Sequence, residues 1–198
     1  MQAEDTPALS KEEINRLPLF SYNRNIVQVA DRETFDLALD RLSRETILGF
    51  DTETRPSFRK GSTHSPALLQ LACGDAVYLF LLRQLQFGPE LAGILADPGI
   101  IKAGVAIQDD MRCLAALYPF EADGAIDLSI LARKNGLRVY GLRPMAAELL
   151  RLRISKSARC SNWEKQPLTP RQISYASTDA WISREIYLRM LALGFNLR

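Results

Sequence analysis

The sequence predicts an α/β fold: a mixed sheet with helices packed against it. Three observations carry that prediction. Two apolar runs, residues 67–73 and 76–82, are joined by Gly74-Asp75, a tight hairpin signal, so part of the sheet is antiparallel. A helical stretch near residues 89–96 then leads to another apolar run at 100–106, as in a crossover between strands. Helical patterns fill the remainder, and they must cover the sheet.

In chain order, Ser10-Lys11-Glu12-Glu13 is a capping box that opens a short N-terminal helix. Residues 26–29 read as a strand. Asp31 caps an amphipathic helix over 31–43, with Glu33 in the first turn, where the helix dipole favours it. Residues 47–53, Ile-Leu-Gly-Phe-Asp-Thr-Glu, read as a buried strand. Further helices are predicted at about 108–116, 128–134, 142–150 and 171–193. The first has Met111, Leu114, Ala115 and Leu117 as its inward positions. The last opens at Thr169-Pro170, an N-cap followed by proline at the first helical position. Its apolar face is Ile173, Ala176, Ala180, Ile186, Leu188 and Leu191.

A chain of 198 residues suits one domain, able to bury roughly 70% of its unfolded surface. Residues 1–25 read as an N-terminal extension carrying the short helix, and residues 26–198 as the single domain. No repeat or low-complexity tract interrupts it. Cys73, Cys113 and Cys160 form no Cys-x-x-Cys pair, and one histidine cannot complete a zinc-type ligand set. Cys73 and Cys113 read as buried small hydrophobes. An odd cysteine count and an acidic, non-apolar start predict a cytoplasmic protein. The apolar run at 76–82 is far too short to span a bilayer, so no membrane association is expected.

Five residues in three segments point to chemistry. Asp51 and Glu53 end the strand 47–53. Residues two apart on a strand face one side, so the two acids project together while Thr52 points away. Acids at the end of a buried strand have no ordinary structural use. An Asp-x-Glu triplet alone is weak evidence, since chance gives roughly 0.7 per chain of this composition, and Asp31-Arg32-Glu33 is a second copy with a capping explanation. Asp109 and Asp110 open the helix after the strand at 100–106. Capping is the plain reading for one of them. Asp110, four residues before Leu114, is expected to lean toward the sheet end as the functional acid, with Asp109 as the cap. Tyr175 and Asp179, four apart, share one helix face; the plain alternative is a half-buried tyrosine beside a surface acid.

Clustered carboxylates repel by roughly 3 kcal/mol per pair at about 5 Å and an effective dielectric near 20. Hard divalent cations, Mg²⁺ or Mn²⁺, relieve that repulsion and take oxygen ligands. Charge elsewhere suits a polyanion. Residues 133–171 carry a net +8, which leaves −6 for the rest of a chain whose total is +2. A solvated helical face is the plain reading of any one of these cations. Lys156, Arg159 and Lys165 lie in the irregular stretch 155–170 before the last helix, where they can fold over the acids. Residues 55–66 form a polar loop beside the first acids, and its His64 reads as a solvent-exposed residue.

The stretches Phe50-Asp-Thr-Glu53, Lys102-Ala-Gly-Val105 through Asp110, and Ser161-Asn-Trp163 through Tyr175-Ala-Ser-Thr-Asp-Ala180 closely resemble the three motifs of the DEDD superfamily of 3′–5′ exonucleases. Tyr175 places the resemblance in the subgroup with tyrosine in the third motif, near ribonuclease D and Werner-type exonuclease domains. It covers about residues 26–193. The resemblance implies a ribonuclease H-like mixed sheet flanked by helices. It implies that two divalent ions, Mg²⁺ or Mn²⁺, are held by Asp51, Glu53, Asp110 and Asp179, with Tyr175 orienting the attacking water. Single-stranded 3′ ends of RNA or DNA would be cut to nucleoside 5′-monophosphates. Lys156, Arg159, Lys165, Asn162 and Trp163 are the candidate substrate contacts. The rival is a ribonuclease H-like module that binds nucleic acid without cutting. A P-loop ATPase and a serine hydrolase are disfavoured: the chain has neither a Gly-x-x-x-x-Gly-Lys-Ser/Thr loop nor a Gly-x-Ser-x-Gly elbow.

Overall fold

The computed structural model describes residues 8–56 and 64–196. The acidic start, residues 1–5, and most of the polar loop at 55–66 lie outside them. Elements follow in the order α1 (Lys11–Arg16), β1 (Leu19–Phe20), β2 (Asn25–Val29), α2 (Arg32–Leu42), β3 (Ile47–Thr54), β4 (Pro66–Ala72) and β5 (Ala76–Leu81). Then come α3 (Pro89–Ala96), β6 (Ile101–Gly104), α4 (Ile107–Ala115), β7 (Ala125–Asp127), α5 (Leu128–Lys134), α6 (Leu142–Leu150), β8 (Arg153–Ile154) and α7 (Pro170–Ala192).

Six strands form the central sheet in the order β2-β5-β4-β3-β6-β7. The β3-β4-β5 pairings are antiparallel and the outer ones parallel, as the hairpin at Gly74-Asp75 and the crossover through α3 require. Both faces are covered, which is why β4 and β5 are buried along their whole length and, Gln70 apart, almost wholly apolar rather than alternating. Phe35 and Leu42 of α2, Leu91 and Leu95 of α3 and Met111 of α4 pack on one face, against Leu48, Phe50, Leu69, Leu71 and Phe80. On the other, Ala176 and Ala180 of α7 meet Leu68, Ala72 and Leu79. Each fully buried side chain of this size contributes about 1.5–3 kcal/mol. Ile182, Ile186 and Met190 continue α7 into a third cluster with α5 and α6. Leu117 and Leu191, expected inward, are 42% and 38% exposed, because their helices end beside them.

Helix α7 lies unusually close to β3. A Cβ added at Gly49 would stand 2.0 Å from the Ala180 carbonyl oxygen, so only glycine lets the helix backbone rest there. The other delivery route is a turn. Ala106, between β6 and α4, takes a left-handed conformation (φ 56°), which costs about 1–2 kcal/mol. That turn swings α4 back beside the end of β3.

Residues 19–22 are joined to the rest. Strand β1 pairs in parallel with β8. The Tyr22 N–H donates to Thr178 Oγ1 at 2.9 Å, its ring lies 4.8 Å from Trp181, and Ser21 and Ser174 hydroxyls bond at 2.5 Å. The short strands β1, β7 and β8 are not among the sequence expectations, since two or three residues show no periodicity. Cys73 is buried as expected, whereas Cys113 is only half-buried.

Candidate active site

Side chains on β3 alternate between the two faces of the sheet. Phe50 and Thr52 turn toward α4, and Gly49, Asp51 and Glu53 toward α7. Beside Glu53 the register with β4 shifts at a bulge, an irregularity that re-aims side chains at a strand end. Asp179 comes from α7, one residue before the carbonyl seated on Gly49. Carboxylate oxygens of Asp51, Glu53 and Asp179 all lie within 4.8 Å of one another.

Asp110, on α4, stands outside that trio but near enough for its charge to act on Asp51 and Glu53. Its Oδ1 lies 2.5 Å from Thr52 Oγ1, so the residue that points away from Asp51 and Glu53 anchors the fourth acid. Asp109 is not the cap expected of it. Ala106 occupies the N-cap with no side-chain bond, and the exposed Asp109 pairs with Arg112 instead. Tyr175 stands one turn before Asp179, its hydroxyl beside that carboxyl and favouring its charged form.

Burial and mutual repulsion hold these acids toward their protonated forms. Burial, then Asp179 and Asp110, pushes Asp51 far above the carboxylate range. The same causes, with Asp51 in the lead among charges, push Glu53 up to about 10, and Arg159 opposes them. Asp179 is pushed up to about 7 by burial, against the Tyr175 hydrogen bond and Arg143. Burial pushes Asp110 up to about 6, offset by Thr52. Tyr175 is driven well above its ordinary value by burial and the neighbouring acids, so it stays protonated. An all-oxygen donor set whose ionisation is held back by burial and repulsion fits hard divalent cations such as Mg²⁺ or Mn²⁺.

The acids open onto a cavity of about 460 Å³ walled by Asp51, Tyr175, Asp179, Arg143, Lys156 and Arg159. The structure therefore brings two of the expected substrate contacts, Lys156 and Arg159, to the acids. Lys165 is exposed and not on the cavity wall. Asn162 shapes its own loop: Oδ1 accepts from the Glu164 N–H and its carbonyl accepts from Gln172 Nε2. Trp163 offers no surface for a nucleobase. It is completely buried, its ring 6.1 Å from Tyr175, because the 155–170 stretch folds inward there and backs the tyrosine.

Three residues escaped the sequence reading. Thr52 looked like a spacer. Arg143 was one cation among many; its Nε donates to the Ile154 carbonyl at 2.8 Å while its charge faces Asp179 and Tyr175. Gln70 pairs with Asp51 across β3 and β4, which puts both side chains on one face. It is fully buried and neither amide atom has a partner, an arrangement that costs about 1–3 kcal/mol per group. Counting back from the hairpin turn was the available signal for Gln70.

Comparison with known proteins follows the same lines. A family model for "3′-5′ exonuclease" matches residues 26–193. The chain is 32% identical over 160 residues to the mouse bifunctional 3′-5′ exonuclease/ATP-dependent helicase WRN, covering 78% of this chain and 11% of that protein. It is 32% identical over 202 residues to mouse exonuclease 3′-5′ domain-containing protein 2, covering 91% and 31%. Ribonuclease D of Haemophilus influenzae is 32% identical over 148 residues, covering 73% and 36%. The chain thus spans about a third or less of these relatives' lengths. In fold it matches the Nibbler EXO domain of Aedes aegypti, with TM-score 0.77 at 22% identity over 89% of this chain and 95% of that one. It also matches Escherichia coli RNase D, with TM-score 0.74 at 24% identity, over 86% and 46%. These neighbours share the mixed sheet flanked by helices. With the acids in place and the match running through almost every element, the chain belongs to the 3′-5′ exonuclease family.

Proposed function

We propose that this chain is a metal-dependent 3′–5′ exonuclease that hydrolyses the terminal phosphodiester of single-stranded RNA or DNA and releases nucleoside 5′-monophosphates. The convergence of Asp51, Glu53 and Asp179 within 4.8 Å, open to a cation-rimmed cavity, carries this reading. Two divalent ions, when bound, would supply an activated water and neutralise charge on the scissile phosphate and the leaving oxygen. Asp51, Glu53 and Asp179 would hold the ions, with Asp110, supported by Thr52, as a further ligand.

Tyr175 belongs, on this proposal, to a tyrosine-containing subgroup of the family. Its raised pKa rules it out as a base near neutral pH, so its hydroxyl acts by position, orienting water beside Asp179. Arg143, Lys156 and Arg159 would take phosphate oxygens of the terminal nucleotide. Tyr175→Phe is expected to lower the rate by roughly 10²–10⁴ without unfolding, read by single-turnover cleavage beside a thermal melt.

A time course on 5′-labelled single-stranded RNA and DNA of one sequence, with Mg²⁺, Mn²⁺ or EDTA, tests the whole reading. A ladder shortening from the 3′ end, lost in EDTA and in Asp51→Asn, supports it. Absence of any ladder with tight binding retained would replace it with a non-cutting nucleic-acid module.

A further inference from the structure

A second depression, about 310 Å³, opens beside the acid cavity between α1, α6 and β8. Lys11 and Asn15 come from α1, Arg143 from α6, Arg153 from β8, and Lys156 from the following stretch. Arg143, Pro144 and Lys156 wall both hollows, so the two are neighbours. No carboxylate lines the second one. Among the described residues, none of its four cations lies within ion-pair distance of an acid. Arg153 Nε is buried without a hydrogen-bond partner. Arg143 faces Asp179 across the shared wall, but Lys11, Arg153 and Lys156 have no ion-pair partner among the described residues; like charges so gathered repel, and an unmet N–H adds to the cost.

The far rim of the acid cluster differs. There Arg55 and Arg83 share one acid, Glu164, so part of their charge is already answered. On the side of the second hollow, a polyanion leaving the acids meets positive charge that no ion pair among the described residues answers.

We propose that this groove carries the phosphate backbone of the substrate strand on the 5′ side of the scissile bond, running from the acid cavity past α6 and β8 onto α1. The proposal rests on the exonuclease reading above. It adds a subsite built partly by Lys11 and Asn15, which precede the family-matched segment at residues 26–193.

The test compares a 12-nucleotide single strand with a dinucleotide of the same sugar, using wild type, Lys11→Glu and Arg153→Gln. Lys11 is exposed on α1, so Lys11→Glu decides the matter even if Arg153→Gln folds poorly. Expected for Lys11→Glu is a rise in KM for the 12-mer of roughly tenfold, with dinucleotide kcat/KM unchanged. The slope of log KM against log salt should fall by about 0.7 for each phosphate that is no longer neutralised. Wild-type KM and salt slope on the 12-mer in Lys11→Glu would overturn the proposal. So would an equal loss on the dinucleotide. Should wild type cut neither substrate with Mg²⁺ or Mn²⁺, the exonuclease reading fails by itself. Anisotropy of the labelled 12-mer then judges the groove alone: weaker binding in Lys11→Glu sustains it, and equal binding overturns it.

Discussion

The two helices that bring acids to β3 do so by opposite means. Helix α7 is pressed onto the strand backbone at Gly49, and Asp179 arrives as part of a rigid, fully packed surface. Helix α4 follows a left-handed turn at Ala106 and packs through Ile107, Met111 and Leu114, while the Asp110 carboxylate on it is steadied by one hydrogen bond from Thr52. Packing fixes a helix everywhere along its contact. A tether fixes one atom and leaves the rest adjustable. Asp179 is therefore held by the packing of its whole helix face, and the Asp110 carboxylate by its hydrogen bond with Thr52.

The largest expected effect lies on the packed side. Asp179→Asn should bring cleavage to background while raising the melting temperature of the metal-free protein, because it deletes a buried carboxyl that repels its neighbours. Melts in EDTA beside cleavage assays read both, and a fall in melting temperature would show that the acid cluster is not under strain. Next comes Gly49→Ala. Its Cβ would collide with the Ala180 carbonyl, costing about 1–3 kcal/mol, and a shift of Asp179 by about 1 Å would lower the rate roughly 10²-fold. Loss of stability with full activity would mean that α7 moves without carrying Asp179. Thr52→Val should be milder. It removes the tether at nearly constant volume, so the fold stays while divalent-ion affinity, measured by calorimetry, weakens about tenfold or more. Equal damage from Thr52→Val and Gly49→Ala would erase the distinction between tether and clamp.

The smallest effect is a slope. The folded, metal-free site holds protons that the unfolded chain gives up near pH 4, since Asp110 titrates at about 6, Asp179 at about 7 and Glu53 at about 10. The native state then binds more protons than the unfolded state, so stability falls as pH rises through that range. Adding Mg²⁺ should raise stability most at the upper end, where the cation competes with fewer protons. Melts from pH 4 to 9 with and without the ion would show this as diverging curves. Parallel curves would argue against these acids as the ligands.

Much of this architecture was written in local pattern. The hairpin at Gly74-Asp75, the caps at Ser10, Asp31 and Thr169, and helices such as α5 and α6 are decided by neighbours in sequence, and the structure has them where the pattern put them. Asp51 could be paired with Glu53, and Tyr175 with Asp179, because strand and helix periods dictate facing; that the two pairs meet was implied only by the resemblance to the exonuclease motifs. What stayed hidden depends on distant partners. Trp163 sits in an irregular stretch whose inward turn no periodicity announces. The capping choice between Asp109 and Asp110 was settled by a backbone turn at Ala106 that makes a side-chain cap unnecessary. Arg143 gains meaning only when α6 packs beside α7.

The stitching of residues 19–22 to α7 bears on how the protein is handled. The family match begins at residue 26, after Tyr22 has already bonded Thr178 and covered Trp181. A fragment trimmed to that boundary would strip the outer flank of the helix that bears Asp179 and leave an aromatic patch bare to solvent, inviting aggregation. Expression limits for this domain belong upstream of Ser10, where the capping box begins, rather than at the edge of recognisable homology.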